Sequence, residues 1–520
     1  MTIRRSTSIA LISFATIISR ILGLVREQLF AFLLGATNFA DAFFVAFRIP
    51  NLLRDLFAEG SLSTAFIPVF TNYLIKKDKK KAILLSNYVI NFLVLVIGLL
   101  TLLGYLFTPG LVRFIAPGFE ADPSKFHLTI IMTRIMMPFL LFISLAAIFM
   151  GILNAHNKFF IPALAPALFN VVIILTGVAI LLFHPDDVNK AIVWSAGSLL
   201  GGIIQFFIHV PYARAVGYSY QFKFDWKFRE EGLRQITRIM LPSVIGLAAM
   251  QINVVVNTNL ASFLKAGSVS YLTYSFRLMQ LPIGIFGVAI STVSTALIAK
   301  DIARNDRTGL KNNIGFAMKL NSFLSIPSTI FFIILGLPVV QLLFQHGKFN
   351  FADSLFTYQS LIWYAPAFFF FSGIKIFAPV FYAVKKVSIP VWGTILSVIV
   401  NLILSLLTYK SMGIRGLSLA LTVATIVNFL FLYVMFLILY GNLKQGMGKA
   451  LFKHCAAGLI MGCGGYLFHQ VLSAYHWTLS LVLPMLLSGL VYLGFCYLMK
   501  VEELAEFIAI MKDKLKPARK

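Results

Sequence analysis

The sequence predicts an all-α polytopic membrane protein with about fourteen transmembrane helices. Of its 520 residues, 59% are hydrophobic and only 12% are charged, and the mean hydropathy is +0.88. A soluble protein typically has about 25% charged residues, so the charged side chains here are too few to cover a soluble surface. The three cysteines lie in late apolar segments, without the spacing of a disulfide framework or a metal site. Disordered, collagenous and secreted disulfide-rich classes are therefore excluded.

Fourteen apolar segments are long enough to cross a bilayer core, which needs about 20 apolar residues per helix. Arg20 interrupts the first segment, so we interpret that segment as a retained helix and not as a cleaved signal peptide. Charges make the first two segments the least typical of the set. The fourteen segments lie near residues 8–34, 41–73, 83–107, 126–153, 159–183, 191–210, 239–263, 269–299, 312–343, 354–382, 388–408, 416–440, 454–473 and 478–499.

The distribution of lysine and arginine predicts the orientation of the chain. With a cytoplasmic N-terminus, the cytoplasmic loops and tails contain 29 basic residues, the opposite loops contain 7, and 8 lie inside the predicted spans. This asymmetry follows the positive-inside rule. The net charge of +25 is therefore better explained by an anionic inner leaflet than by nucleic acid. We expect a multi-pass membrane protein with both termini in the cytoplasm.

The chain contains an internal repeat with an offset of about 229 residues. Phe47-Arg48 recurs as Phe276-Arg277, and the pair Pro138 and Pro162 recurs as Pro366 and Pro390. The offset carries the first span onto the seventh, so each unit has six spans and both units enter from the same side. We predict a first lobe at 1–217, a second lobe at 218–440, and two added helices with a basic tail at 441–520. Parallel repeats of this kind often form the two halves of a transporter.

Charged residues inside the first two spans are the strongest functional signal. Residues 20–59 contain four of the eight basic residues predicted to lie inside spans, together with four acids. A charge at the bilayer centre costs roughly 2.5–3.5 kcal/mol, so such residues are functional candidates by default. Two interpretations of Asp41, Arg48 and Asp55 remain equally supported: an ion-pair network that holds the two spans together, or contact with a substrate. The eight charged residues are Arg20, Arg26, Glu27, Asp41, Arg48, Arg54, Asp55 and Glu59.

After Glu59, no predicted span contains an acid. A proton- or cation-driven exporter usually needs acids in the membrane, and a membrane glycosyltransferase or phosphatase needs carboxylates for metal or acid–base chemistry. We therefore expect a transporter without a catalytic site, a metal or a cofactor. Arginine binds phosphate through paired hydrogen bonds and keeps its charge in a low dielectric. The residues alone thus indicate an anionic, amphipathic substrate such as a polyprenyl-phosphate compound.

Several segments resemble the MurJ (MviN) family of lipid II flippases, over residues 8 to about 440. The stretch 41–60 carries the most specific part of the likeness. The resembling segments are Ser19-Arg20-Ile21-Leu22-Gly23, Arg26, Asp41 through Arg54, Phe57-Ala58-Glu59-Gly60, Ala116-Pro117-Gly118-Phe119, Ile161-Pro162-Ala163 through Asn170, Gly267-Ser268-Val269-Ser270 and Phe344 through Phe349.

The resemblance implies a fold and a set of site residues. The fold would be that of the multidrug/oligosaccharidyl-lipid/polysaccharide exporter superfamily, with two six-helix lobes around a cationic cavity and two extra helices for the polyprenyl tail. Four residues match the family's cavity arginines, which would bind the pyrophosphate: Arg20, Arg26, Arg54 and Arg277. Six residues match cavity or gating positions: Ser19, Glu27, Asp41, Asn51, Glu59 and Ser270. Phe276 and Asp55 depart from the family pattern and alter the charge beside Arg277 and Arg54.

The resemblance also implies the function. Lipid II, the lipid-linked peptidoglycan precursor, would move from the inner to the outer leaflet by alternating access without ATP hydrolysis. The expected partners are lipid II, membrane lipids and cell-wall synthesis enzymes, and a coupling ion or the membrane potential would bias the transport. A flippase for another polyprenyl-linked oligosaccharide, of the O-antigen type, is the first alternative. A multidrug exporter of the same superfamily, a polyprenyl-phosphate enzyme and a scaffold for cell-wall enzymes rank below it.

Overall fold

The computed structural model describes residues 2–56, 62–76, 78–284, 288–443, 446–472 and 477–505. All regular structure in these ranges is helical, as the apolar segments predict. Ten helices precede residue 216: α1 Thr2–Leu34, α2 Asn38–Arg54, α3 Ser63–Lys76, α4 Lys79–Leu106, α5 Thr108–Ile115, α6 Pro123–Met136, α7 Phe139–Ala155, α8 Phe160–Phe183, α9 Asp187–Phe207 and α10 His209–Ala215. Ten follow: α11 Glu231–Ala261, α12 Ser268–Pro282, α13 Val288–Ala303, α14 Arg307–Phe344, α15 Phe351–Tyr364, α16 Ala367–Ala383, α17 Ser388–Met412, α18 Ile414–Tyr440, α19 Met447–Leu472 and α20 Trp477–Leu498.

Nine helical segments of the described chain are long and apolar enough to cross a membrane, or ten if the bent pair α15 and α16 is one span. The count of fourteen transmembrane helices stays a prediction. The charged helix α1 and the interrupted pair α2 and α3 are not among the nine, in agreement with the charges that mark the first two segments in the sequence.

Helix breaks recur at the positions of the sequence repeat. Pro138 separates α6 from α7, and Pro366 separates α15 from α16. Proline removes a backbone donor and clashes with the preceding turn, so it interrupts a helix in both halves. Pro162 and Pro390 each occupy the third position of a helix, α8 and α17, where the missing N–H would be unpaired anyway. The repeated prolines therefore mark equivalent places in two series of helices.

The chain divides into two compact units. The first contains Met1–Ser270 and Gly347–Phe349, and the second contains Tyr271–His346 and Asn350–Lys520. The predicted lobe boundary at 217/218 describes the repeat and stays a prediction. In the first unit, buried apolar side chains of α3, α4, α7 and the start of α11 form a core, among them Phe66, Phe70, Leu85, Ile148 and Leu233.

The core of the second unit joins α14, α16, α18 and α19, with Phe323, Phe377, Phe436 and Met461 fully or almost fully buried. Helix α19 packs on α14 through glycines: a β-carbon at Gly462 would lie 2.3 Å from the Ile334 side chain. Small residues let helices approach closely in a membrane. The two helices beyond the repeat, α19 and α20, thus belong to the packed second unit.

Two short turns, one from each half, pack against the ends of long helices within the first unit. The Gly118 amide donates to Ser262 Oγ at 2.9 Å, just beyond the end of α11. The Lys348 amide donates to the Phe32 carbonyl of α1 at 2.9 Å. Phe119 and Phe349 echo each other in the sequence, because they lie at about the offset of the internal repeat, and both are buried. The sequence echo therefore corresponds to a structural one.

Alanine at Gly118 should destabilise the protein by about 1–3 kcal/mol, the usual cost of overpacking a filled site. A β-carbon there would lie 2.3 Å from the Ser262 carbonyl oxygen and 2.6 Å from the Phe263 amide nitrogen, both rigid backbone atoms. Thermal unfolding in detergent measures the effect. Gly110→Ala is the matched control, because no heavy atom lies within 4 Å of its new β-carbon. Equal unfolding midpoints for the two variants would contradict the close contact at Gly118.

Candidate functional site

Asp41 lies in the first turn of α2 and is almost fully buried, with 1% of its surface exposed. Four hydrogen bonds reach its carboxylate. Lys125 Nζ and the Gly267 amide donate to Oδ2 at 2.9 and 2.8 Å, while the amide and hydroxyl of Ser270 donate to Oδ1 at 2.9 and 2.7 Å. A buried carboxylate is stable only when its acceptor sites are filled in this way.

The donors to Asp41 come from two other elements. Lys125 is in the first turn of α6, and Gly267 and Ser270 flank the start of α12. The first amides of a helix lack partners within it and carry a partial positive charge, so a carboxylate is favoured there. Lys125 is itself buried and its ammonium lies 4.0 Å from the centre of the Phe119 ring. Asp41 and Ser270, both predicted as cavity or gating residues, are thus in direct contact.

Arg26 and Arg54 each contact the acid that follows them in the chain. Arg26 Nη2 donates to Glu27 Oε1 at 2.5 Å. Arg54 donates to Asp55 Oδ1 from Nη2 at 2.9 Å and from Nε at 3.2 Å. Arg26 is also close enough to Arg54 for the two positive charges to act on each other. Helices α1 and α2 therefore bring two of the predicted cavity arginines into one charged cluster.

Asp55 connects this cluster to α11. Its second oxygen, Oδ2, accepts a hydrogen bond from Gln251 Nε2 at 3.1 Å. Because Oδ1 holds two nitrogens of one guanidinium, Asp55 restricts both the position and the plane of the Arg54 side chain. The residue that follows Arg54 in the chain therefore orients its guanidinium group.

Arg48 contacts α11 as well. Its Nη1 donates to Thr258 Oγ1 at 2.6 Å and to the Val254 carbonyl at 3.5 Å. Helix α2 continues through Pro50 to Arg54, so the proline does not end it. Asp41 and Arg48 thus contact α6, α11 and the start of α12. The choice between an ion-pair network and substrate contact stays a prediction.

The other predicted site residues are placed as follows. The Ser19 carbonyl accepts a hydrogen bond from Asn170 Nδ2 at 3.0 Å, and Arg20 is exposed. Asn51 Oδ1 is buried and has no hydrogen-bond partner among the residues that the structure describes. Arg277 is half-buried in α12 within the second unit. Glu59 lies outside the described residues.

Sequence reasoning did not select Lys125, Gln251 or Thr258 as site residues. Lys125 appears in the sequence only as one of seven basic residues on the side opposite the basic loops. Its distance of 84 residues from Asp41 leaves no periodic signal. Gln251 and Thr258 share a face of α11, at a spacing of seven residues, and this polar stripe in an apolar helix was the available signal.

The part of the chain that the structure describes contains no group of three His, Cys, Asp or Glu side chains able to hold a metal ion. An apolar pocket lies between α4 and α11 and is lined by residues including Val89, Phe92, Ile236 and Met240. Such a lining suits hydrocarbon and not phosphate. The candidate site is therefore the charged cluster at Arg26 and Arg54, with the Asp41 contact as a separate structural element.

Comparisons of the sequence and of the structure match this chain to the same family of known proteins. A family model described as lipid II flippase MurJ matches residues 30–488. A protein named "Probable lipid II flippase MurJ" from Buchnera aphidicola subsp. Acyrthosiphon pisum is 34% identical over 421 residues, which cover 81% of each chain. A solved structure titled "Lipid II flippase MurJ, inward closed conformation" is 29% identical and has a TM-score of 0.79, covering 94% of this chain and 98% of that one.

More distant solved structures share the fold alone. An inward-facing multidrug resistance MATE family transporter of the MOP superfamily aligns with a TM-score of 0.68 at 16% identity, covering 83% of this chain and 98% of that one. The all-α fold that the sequence predicts is confirmed by these structural matches.

Proposed function

Because the chain belongs to the MurJ family of lipid II flippases, we propose that it carries lipid II from the inner to the outer leaflet of the bacterial inner membrane by alternating access. The moving parts would be the lobes at 1–217 and 218–440, followed by the added helices at 441–520. Both termini would be cytoplasmic, as the distribution of basic residues favours.

The observation that carries this proposal is that Arg26 on α1 and Arg54 on α2 each pair with the carboxylate that follows them and lie within electrostatic range of each other. Arginine stays protonated in a low dielectric and forms paired hydrogen bonds with phosphate oxygens. A pyrophosphate would share these guanidinium groups with Glu27 and Asp55. Arg20 and Arg277 would bind it at other stages of the movement.

Asp41 would stabilise one of the transport states. Its contacts with Lys125, Gly267 and Ser270 tie the start of α12 to α2 and α6. All four residues lie at the ends of predicted spans that face away from the basic loops, so they would meet at the outer face. A contact of this kind holds in one state and has to break in the other. The membrane potential, a coupling ion or consumption of the product outside would bias the cycle.

Expression of this chain should restore lipid II on the outer face of bacteria depleted of their own lipid II flippase. The measurement is the amount of lipid II that an external probe reaches, at matched membrane levels of the expressed protein. If the chain restores export of an O-antigen unit but not exposure of lipid II, the alternative polyprenyl-linked substrate is supported instead. A well-expressed chain that restores neither compound would contradict the proposal.

A further inference from the structure

The segment between α10 and α11 contains an aromatic residue at every second position. Residues 218–225 form neither helix nor strand. We call residues 218–229 the ribbon. The alternating aromatic residues are Tyr218, Tyr220, Phe222, Phe224, Trp226 and Phe228. Side chains two residues apart share a face of a regular extended chain, but exposure changes along the ribbon: Tyr218 is buried, whereas Phe222 and Trp226 are exposed. The ribbon is therefore tied to the protein at its start and open further along.

Two buried asparagines of α4 hold the ribbon in place. Asn87 Nδ2 donates to the Ser219 carbonyl at 3.0 Å, and Asn91 Nδ2 donates to the carbonyls of Gln221 and Lys223 at 3.3 and 2.8 Å. The hydroxyls of the two tyrosines at 218 and 220 donate to Oδ1 of the same asparagines, both at 2.8 Å. Two residues of extended chain span about 6.6 Å and four residues of helix span about 6 Å, so the two patterns match.

From residue 222 onward the ribbon exposes both aromatic and basic side chains. Phe222 and Trp226 are 77% and 70% exposed, and the Trp226 ring stacks on Phe224 with centroids 4.4 Å apart. Three basic side chains of the same stretch are also exposed: Lys223, Lys227 and Arg229.

The acids of the same segment are used within the protein. Asp225 Oδ2 accepts the Glu230 amide at 2.7 Å, and this bond holds the pKa of Asp225 below its usual value. Glu230 Oε1 accepts the Tyr73 hydroxyl at 2.7 Å. Gly217, the residue just before the ribbon, lies close to Lys79: a β-carbon added at Gly217 would be 2.7 Å from the Lys79 ammonium nitrogen. The exposed charge of the ribbon is therefore positive, although the segment contains acids.

We propose that the ribbon is a binding surface for the headgroups of anionic phospholipids at the membrane surface. Aromatic side chains favour the headgroup level of a bilayer, and basic side chains attract anionic lipids there. The asparagine bonds satisfy ribbon carbonyls that would otherwise lose their water partners in this layer. The surface lies on a predicted cytoplasmic connection, so its natural ligand would be a lipid of the inner leaflet. The inference does not depend on the transported substrate.

Quenching of Trp226 fluorescence by brominated lipids tests this surface in the intact protein. The chain is reconstituted into nanodiscs that contain brominated phosphatidylglycerol or brominated phosphatidylcholine at increasing mole fraction. A Trp226→Phe protein measured in parallel isolates the signal of Trp226 from the other four tryptophans. We expect the relative association constant to favour phosphatidylglycerol by at least about fivefold, the contribution of one basic side chain near an anionic surface.

The control variants separate the ribbon from the overall positive charge. K223Q/K227Q/R229Q should reduce the lipid preference to about one, whereas R304Q/R307Q/K385Q, which removes three exposed bases elsewhere, should leave it unchanged. In the wild type, an increase in salt of about tenfold should weaken the preference, because screening acts on exposed charges. Equal quenching by both lipids, a preference that resists salt, or an equal loss in both triple variants would overturn the proposal.

Discussion

Replacing Arg54 with alanine should reduce the lipid II exposed on the outer face to about one tenth of the wild-type amount or less. The variant removes up to two charge-assisted hydrogen bonds to phosphate, each worth about 1.5–3 kcal/mol. It also removes the charge that acts on Arg26. The measurement is the exposure assay in flippase-depleted cells, with equal amounts of each variant in the membrane.

Two further variants separate charge from geometry at this position. Arg54→Lys keeps the charge but cannot form the paired bonds of a guanidinium, so we expect partial activity. Asp55→Asn keeps Arg54 but weakens the hydrogen bonds that orient it, so activity should fall less than with alanine at residue 54. Arg113→Ala is the matched control, because Arg113 is exposed and pairs with the exposed Glu120. Wild-type exposure with Arg54→Ala would rule out a phosphate-binding role for this side chain.

Replacing Asp41 with asparagine should destabilise the protein by about 3 kcal/mol or more. Loss of one partner from a buried ion pair leaves the other charge uncompensated, and Lys125 is only 9% exposed. The amide would also present donors to the Gly267 or Ser270 amides, which are donors themselves. Thermal unfolding in detergent measures the effect, and lipid II exposure should fall with it.

A double-mutant cycle identifies the ion pair as the cause. Lys125→Met in the Asp41→Asn background should recover part of the lost stability, because the uncompensated ammonium is gone. Glu120→Gln is the control at an exposed pair, where the expected loss is below about 1 kcal/mol. If Asp41→Asn unfolds at the wild-type midpoint, the four hydrogen bonds to this carboxylate do not stabilise the protein as proposed.

The sequence by itself determined the class of the protein and the charged residues that are candidates for its site. Partition into a membrane depends on the summed hydrophobicity of each segment, a local property that can be read residue by residue. The prolines at 138 and 366 break equivalent helices because their effect on the backbone is also local. The expectation of a transporter and not an enzyme is confirmed by family membership. The charges of residues 20–59 likewise predicted where the arginine cluster lies.

Only the tertiary structure decided which charged groups meet. Asp41 shares a predicted span with Arg48 and Asp55, but its partners are Lys125 and the amides at 267 and 270, between 84 and 229 residues away. Asp55 likewise contacts Gln251, 196 residues later. Spacing along one helix predicts which side chains share a face, whereas their partners depend on how distant helices pack. The pairing of charges is therefore a property of the packing, and the presence of charges in the membrane is a property of the sequence.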